Sequence, residues 1–221
     1  MLYIVATPIG NLQDISLRAL DVLEEVDFIF CEDTRISKRI LDHYKIEGKQ
    51  MISYHQHSKD NKVEKLVELI KNNKVALVTD AGTPGISDPG GKLIAEVIKA
   101  DPEIEIVPIP GASAVITALS ICGLPTDEFL FLGFIPHKKK RQKFLKEVVA
   151  SKRLVVFYES CHRVVKCLEE FKILDEENKK QLVVCRELTK KFESIYRGKV
   201  NDVLEQVKND PVKGEYVIIV Y

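Results

Sequence analysis

Short apolar runs alternate along the first half of the chain with stretches whose apolar residues recur at three- and four-residue spacing. Leu2–Ala6, Phe28–Cys31, Met51–Tyr54, Val75–Val78 and Ile104–Val107 read as buried strands. Val63, Leu66, Val67 and Ile70 fall at i, i+3, i+4 and i+7, the stripe of an amphipathic helix. Ile36, Ile40 and Leu41 mark another helix, Leu93, Ile94, Val97 and Ile98 a third, and Ala114–Ser120 a fourth. Asp14 or Ser16 is placed to cap the first helix, and Thr34 or Asp33 to start the second, because their oxygens accept from free N–H groups of the first turn. Strand–helix alternation of this kind predicts an α/β fold with a mostly parallel sheet and helices on both faces.

The pattern changes after Gly123-Leu124-Pro125-Thr126-Asp127, which reads as a break between an N-terminal domain, 1–122, and a C-terminal domain, 123–221. Beyond it, Phe129–Phe134, Leu154–Tyr158, Leu182–Cys185 and Tyr216–Tyr221 read as strands, with Phe192–Tyr196 as a further candidate. Helical patterns at Phe144–Val149, Val164–Phe171 and Val203–Val207 lie among them, so the second sheet is expected to be mixed. There is no internal repeat and no low-complexity tract.

At 221 residues, with 30% charged and 45% hydrophobic residues, the chain is large enough for a sizeable core and ordinary for a globular protein. No apolar run reaches membrane-spanning length, and Met1–Ala6 leads directly into a strand pattern. The five cysteines contain no C-x-x-C pair, and an odd set of this kind suits reduced thiols in the cytoplasm. Net charge is zero but uneven. Residues 1–122 carry 13 Lys and Arg against 18 Asp and Glu, and residues 123–221 carry 20 against 15. The second half is therefore the candidate surface for an anionic partner.

The densest local chemistry is T-D-A-G-T-P-G-I-S-D-P-G-G, Thr79–Gly91, which joins a strand to a helix. Four glycines and two prolines in thirteen residues exceed what such a connection needs, usually about two to six residues. Glycine lets backbone approach a ligand, and Asp80 and Asp88 can hold hydroxyl or N–H groups. Phosphate loops fit poorly: G-x-G-x-x-G is absent, and Gly85 to Gly91-Lys92 has one residue too many for a P-loop and Leu93 where Ser or Thr belongs. The loop reads as a cofactor loop not built for phosphate. T-P-I-G-N, E-D-T-R, P-I-P-G-A-S and Y-E-S-C-H-R also follow apparent strands, where ligands of open α/β sheets bind.

Eight blocks occur in order: L-Y-I-V-A-T-P-I-G-N-L, C-E-D-T-R, D-A-G-T-P-G-I-S-D-P-G, P-G-A-S-A-V-I-T-A-L, G-L-P-T-D-E-F-L-F-L-G-F-I-P, Y-E-S-C-H-R, R-E-L-T-K-K-F-E and K-G-E-Y-V-I-I-V. In this the chain resembles the bacterial ribosomal RNA small subunit methyltransferase I family, of the tetrapyrrole methylase fold group, essentially end to end. The resemblance implies a two-domain fold with a cofactor cleft, S-adenosyl-L-methionine as cofactor, a homodimer, and 2′-O-methylation of a cytidine in the decoding region of 16S ribosomal RNA. The substrate would be 16S RNA or the small ribosomal subunit. Two departures concern the substrate side: Cys161 stands where relatives carry proline, and Ser58-Lys59 follow His57. Longer relatives continue past the G-E-Y-V-I-I-V strand, so part of their RNA-contacting surface is expected to be either absent here or supplied otherwise.

The resemblance and the loop positions together give Pro8, Asp80, Ala81, Gly82, Thr83, Ser113 and Tyr158 as cofactor-binding candidates. Glu159 or His162 is the candidate base for the 2′-hydroxyl, with Glu32 or Asp33 competing. Arg35, Lys138, Lys139, Lys140 and Arg163 are candidates for substrate phosphates. Plainer readings stand beside these: Glu32-Asp33-Thr34-Arg35 as a helix start, the Lys138–Lys143 run as a solvated helix start, Ser160 as an N-cap, and Glu159 paired with Arg163 one turn on. His55 and His57 alternate like metal ligands, but no third ligand accompanies them and methyl transfer needs no metal, so no metal is expected. Cys161 and Cys167 read as ordinary thiols. The rival functions are a same-fold methyltransferase of a small molecule such as a corrin precursor, or a non-catalytic relative that binds RNA or cofactor.

Overall fold

The computed structural model describes residues 1–55, 58–138 and 140–221. These divide into two compact units, Met1–Ser113 and Ala114–Tyr221. The Gly123–Asp127 segment falls inside the second unit, because the helix before it packs with that unit's own sheet.

In the first unit, strands β1 (Leu2–Val5), β2 (Phe28–Cys31), β3 (Gln50–Ser53), β4 (Val75–Leu77) and β5 (Ile106–Ile109) form one sheet in the order β3-β2-β4-β1-β5. Every pairing is parallel. Side chains alternate between its faces, as the pleat requires. Val5, Ile29, Cys31 and Ala76 join Val22 and Leu23 of α1 (Leu17–Glu25) and Leu41 of α2 (Thr34–His43). Leu2, Phe30, Val75 and Leu77 join Val63, Leu66 and Ile70 of α3 (Asp60–Asn72) and Leu93 and Val97 of α4 (Gly91–Ala100) on the other face. Both faces are thus covered, which is why these strands read as continuous apolar runs.

Of the two proposed caps for α1, Ser16 is the one used: its Oγ accepts from the Ala19 N–H at 3.1 Å, while Leu12–Asp14 form a 3-10 turn. Strand β5 begins two residues later than the sequence suggests and includes Pro108, which an edge strand tolerates.

The second unit holds α5 (Ala114–Ser120), β6 (Phe129–Phe134), α6 (Arg141–Ala150), β7 (Leu154–Ser160), α7 (Val164–Leu174), β8 (Gln181–Arg186), β9 (Ser194–Lys199), α8 (Val200–Asn209) and β10 (Glu215–Val220). The sheet order is β6-β7-β10-β8-β9. Only β6–β7 is parallel, so the sheet is mixed, as expected. Leu145, Val164, Phe171, Val203 and Val207 of α6, α7 and α8 pack on Val155, Phe157, Val184 and Ile218. Helix α5 packs with β10. Among the described residues no helix is long and apolar enough to cross a membrane.

Candidate active site

Four of the five unusual loops leave the carboxyl edge of the first sheet, and the strand order decides which of them meet. From β2 the chain moves outward to β3, and from β4 it moves the opposite way to β5. Adjacent strands whose connections depart in opposite directions leave a crevice at their carboxyl ends, the binding position of open α/β sheets. Glu32-Asp33 lie at one lip and Thr79-Asp80 at the other. The Asp33 N–H donates to Asp80 Oδ1 at 2.9 Å across the opening.

The β1 loop closes the other flank of β4. Thr7 and Gly82 form an isolated antiparallel bridge, with Thr7 N–H donating to Gly82 O at 2.9 Å and Gly82 N–H to Thr7 O at 3.0 Å. Gly82 takes φ +83°, a left-handed value that a side chain adopts only with strain. The buried Thr7 hydroxyl donates to Thr79 O at 2.9 Å, and Thr83 Oγ1 donates to Ala112 O of the β5 loop at 3.2 Å. Sequence reasoning passed over Thr7 and Thr79, both buried at 1% exposure, because a threonine beside a glycine reads as ordinary loop. Pro8 is buried directly after Thr7, Ser113 is half-buried before α5, and Ala81 is exposed at the loop tip.

Electrostatics separate the acidic candidates. Glu32 is held above the ordinary carboxylate range by burial first and by the Asp80 charge second, with His55 pulling the other way. Asp33 is the N-cap of α2: its Oδ1 accepts from the Arg35 N–H at 2.8 Å, and the Arg35 guanidinium pairs with its carboxylate at 2.6 Å. These bonds bring it down to about 2. Arg35 is thereby engaged with Asp33 on the surface. The plain helix-start reading accounts for Asp33 and Arg35, and not for Glu32.

The fifth loop, Y-E-S-C-H-R, belongs to the second unit, where Tyr158, Glu159 and Ser160 are still part of β7. Alternation along β7 turns Glu159 to the same face as Phe157, beneath α6 and α7. Glu159 is 1% exposed. Its Oε2 accepts from Arg141 Nη1 at 2.9 Å, and its Oε1 accepts from Arg163 Nε at 2.9 Å and from the Ser160 N–H at 2.8 Å. Arg141 also donates to Glu170 Oε2 at 2.6 Å, and Arg163 contacts His137 Nδ1. With both oxygens taken by guanidinium and backbone donors and the side chain buried, Glu159 has no lone pair directed at a substrate hydroxyl, which is poor equipment for a general base. The pairing of Glu159 with Arg163 is the plain reading made real. Ser160 does not cap α7; Arg163 occupies that position.

Arg141, inside a basic run that looked solvated, is buried and was missed by sequence reasoning, as was its partner Glu170. His162 is exposed on the turn before α7. Lys138 and Lys140 are exposed ahead of α6; the candidates Lys139 and His57 lie outside the described residues. Tyr158 is half-buried against Phe131 and Phe134, with ring centroids 5.2 and 5.1 Å away. No cluster of metal-ligating side chains occurs among the described residues. Burial pushes the Cys167 thiol up to about 12, the condition of an inert thiol. A shallow depression of about 1100 Å³ between α3 and α4 is lined by charged side chains such as Asp60, Glu68, Lys92 and Glu96, and holds none of the candidate residues.

Comparison with known proteins gives the family and the fold. The family model for Tetrapyrrole (Corrin/Porphyrin) Methylases matches residues 1–204. The chain is 43% identical to the ribosomal RNA small subunit methyltransferase I of Halalkalibacterium halodurans, across 99% of this chain and 75% of that protein. It is 46% identical to the protein of the same name from a Hydrogenobaculum species, across 99% and 94%. For that from Escherichia coli the figures are 45%, 99% and 77%. Among solved structures, diphthine synthase superposes with a TM-score of 0.76 at 17% identity, across 99% of this chain and 88% of that one. Cobalt precorrin-4 methyltransferase superposes with a TM-score of 0.69 at 17% identity, across 99% and 93%. The two superpositions speak for the fold alone.

Proposed function

Because the chain belongs to the tetrapyrrole methylase family and, within it, to the ribosomal RNA small subunit methyltransferases I, we propose that it transfers the methyl group of S-adenosyl-L-methionine to the 2′-hydroxyl of a cytidine in the decoding region of 16S ribosomal RNA. The observation that carries the choice of substrate is identity of 43 to 46% along nearly the whole chain to enzymes named for ribosomal RNA, against 17% for cobalt precorrin-4 methyltransferase.

The first unit's crevice suits the cofactor chemically. Glu32 and Asp80 are carboxylates close enough for Asp80 to raise Glu32, and such a pair favours a cationic guest with N–H and O–H donors over a phosphate. S-adenosyl-L-methionine supplies an electrophilic methyl on a sulfonium, together with an ammonium and ribose hydroxyls. Asp80, Ala81, Gly82 and Thr83, with Pro8 and Ser113 from the flanking loops, are the residues that would hold it. The bonds joining Thr7, Thr79, Gly82 and Ala112 fix this loop before any ligand arrives, so little ordering remains on binding. Tyr158 stays a cofactor candidate from the second unit.

A sulfonium leaves readily, so the protein's task is to aim the ribose oxygen and to take its proton. Glu32 suits the second task best: its raised affinity for a proton brings it nearer the working pH, and Asp33 and Glu159 are both tied to arginines. Lys138 and Lys140, exposed ahead of α6, are the residues that would meet backbone phosphates. Arg163 shares its guanidinium with Glu159 and His137, which makes it a brace for this segment before it is a phosphate ligand. We further propose a symmetric homodimer in the cytoplasm, on the strength of the family alone.

The test is incubation with labelled S-adenosyl-L-methionine and, separately, unmethylated 30S subunits, naked 16S RNA and a corrin precursor. Label in a ribose of the RNA is expected. Label in the corrin, or in nothing, overturns the reading. A monomer mass by light scattering at micromolar concentration overturns the dimer.

A further inference from the structure

Strand β6 carries an irregularity that regular pairing does not require. Phe129, Leu130 and Phe131 pair in step with Leu154, Val155 and Val156, but Phe134 then pairs with Tyr158. Three residues of β6 thus advance against two of β7, the signature of a β-bulge, and Gly133 supplies it with φ +63°. The consequence is geometric. Residues 131 and 134 would face opposite sides of a regular strand, whereas the extra residue returns Phe134 to the side of Phe131 and Tyr158. The three rings gather there: Phe131 meets Tyr158 edge-on at an interplanar angle of 71°, and Phe134 meets it tilted at 55°.

The arrangement leaves the last ring uncovered. Phe134 is 57% exposed although it is braced on one side by Tyr158. The Ile135 N–H still donates to Tyr158 O at 3.2 Å, so the ladder resumes at once and holds the ring's backbone in place. The chain then runs directly into His137, Lys138 and Lys140, all exposed. This basic segment is itself anchored from below, His137 through Arg163 and the start of α6 through Arg141 and Glu159.

We propose that Phe134, supported by Tyr158 and Phe131, is a stacking platform for an unpaired base of the RNA substrate, with Lys138 and Lys140 meeting the adjoining phosphates. The inference rests on the RNA reading above and adds a base-contact site to it. Single-stranded RNA is held by this combination of an aromatic face and a basic track, since every base offers a π-face and every nucleotide a phosphate. An exposed phenylalanine turned by a bulge to the side of Tyr158, three residues ahead of an exposed cationic segment, matches that chemistry on both counts. The positive flank also favours RNA over a second copy of this neutral chain.

The experiment compares wild type with Phe134→Ala, Phe134→Leu and Phe134→Trp in the full chain, using unmethylated 30S subunits and S-adenosyl-L-methionine. Loss of one stacked base should raise the Michaelis constant for RNA roughly tenfold in the Ala and Leu variants, with kcat and the cofactor dissociation constant unchanged. Trp should restore the wild-type value, which a merely space-filling residue would not require. Melting temperatures should stay together, because an exposed ring carries little of the core. An unchanged Michaelis constant in Phe134→Ala overturns the platform. Weakened cofactor binding would overturn it in favour of the cofactor's own adenine, and a lower mass by light scattering in favour of an interface between copies. If wild type methylates no RNA, it is the function reading that fails; if wild type is active and Phe134→Ala is indistinguishable from it, only the platform fails.

Discussion

Replacing Glu159 by glutamine separates two roles that the sequence could not tell apart. The amide keeps the side chain's shape and can still accept from the Ser160 N–H, but it removes the charge facing Arg141 at 2.9 Å and Arg163 at 2.7 Å. Removing one partner of a buried ion pair costs about 3–5 kcal/mol, because the other charge is left in a poor solvent. Arg141 keeps Glu170 at 2.6 Å and Arg163 is partly exposed, so the lower end applies, about 3 kcal/mol. In a chain of this size each kcal/mol moves the melting temperature by about 2–4 °C, which gives a fall of about 6–12 °C. The pair Glu159→Gln with Arg141→Gln should cost less than the sum of the two singles, since the second change removes the stranded charge. The assays are thermal melting by circular dichroism and single-turnover methyl transfer at a temperature where the variant is folded. A structural Glu159 lowers the melting temperature and leaves the single-turnover rate within about threefold. A melting temperature equal to wild type with a rate loss of about a hundredfold would refute this account and make Glu159 the base.

Glu32→Gln should reduce the single-turnover rate by about a hundredfold with cofactor affinity little changed. Burial raises the folded-state affinity of Glu32 for its proton, so the wild type loses stability as pH rises through that raised value; the variant's melting temperature should therefore gain on wild type from pH 4 to pH 8, and a constant difference would count against the assignment. Asp80→Asn keeps an acceptor for the Asp33 N–H but removes the charge offered to the cofactor, and calorimetry should show affinity reduced by about tenfold or more; wild-type affinity would exclude Asp80 as a cofactor ligand. Lys138→Ala with Lys140→Ala should weaken RNA binding and lower the slope of log affinity against log salt by about one for each phosphate no longer neutralised, and an unchanged slope would return these lysines to the role of a solvated helix start.

Much of this protein can be read from its sequence, and the reasons are local. Strands β2 and β6 and helix α5 lie where the apolar pattern puts them, because each is a short run between strong turn or cap signals. The crowding of glycine and proline in Thr79–Gly91 announced a loop with an unusual backbone, and Gly82 has the positive φ that such a composition permits. Glu159 was legible as unusual, but its partners were not. A carboxylate beside a histidine and an arginine looks like a site, and nothing local reveals that Arg141, eighteen residues earlier, will be buried against it. The bulge was hidden as well. F-L-G-F can be read as an unbroken strand, and only its pairing with β7 shows the step at Gly133.

By itself the sequence determined that strands alternate with helices, and hence that a parallel sheet sends its loops to a single edge. That follows from the short apolar runs and the length of chain between them, since a parallel connection must cross back over the sheet before the next strand begins. It also determined the chemical inventory of those loops, acidic in the first unit and basic at the start of α6. The tertiary structure alone decided adjacency. Inserting β4 between β2 and β1 brings Asp80 to the Asp33 N–H and Gly82 to Thr7, contacts that span 47 and 75 residues of chain. It also sorted the charged residues into those that water leaves available, such as Lys138, and those that burial obliges to pair, such as Glu159 and Arg141. The physical reason is that desolvation is set by everything packed around a group, and the residues that pack around it are gathered from distant parts of the chain.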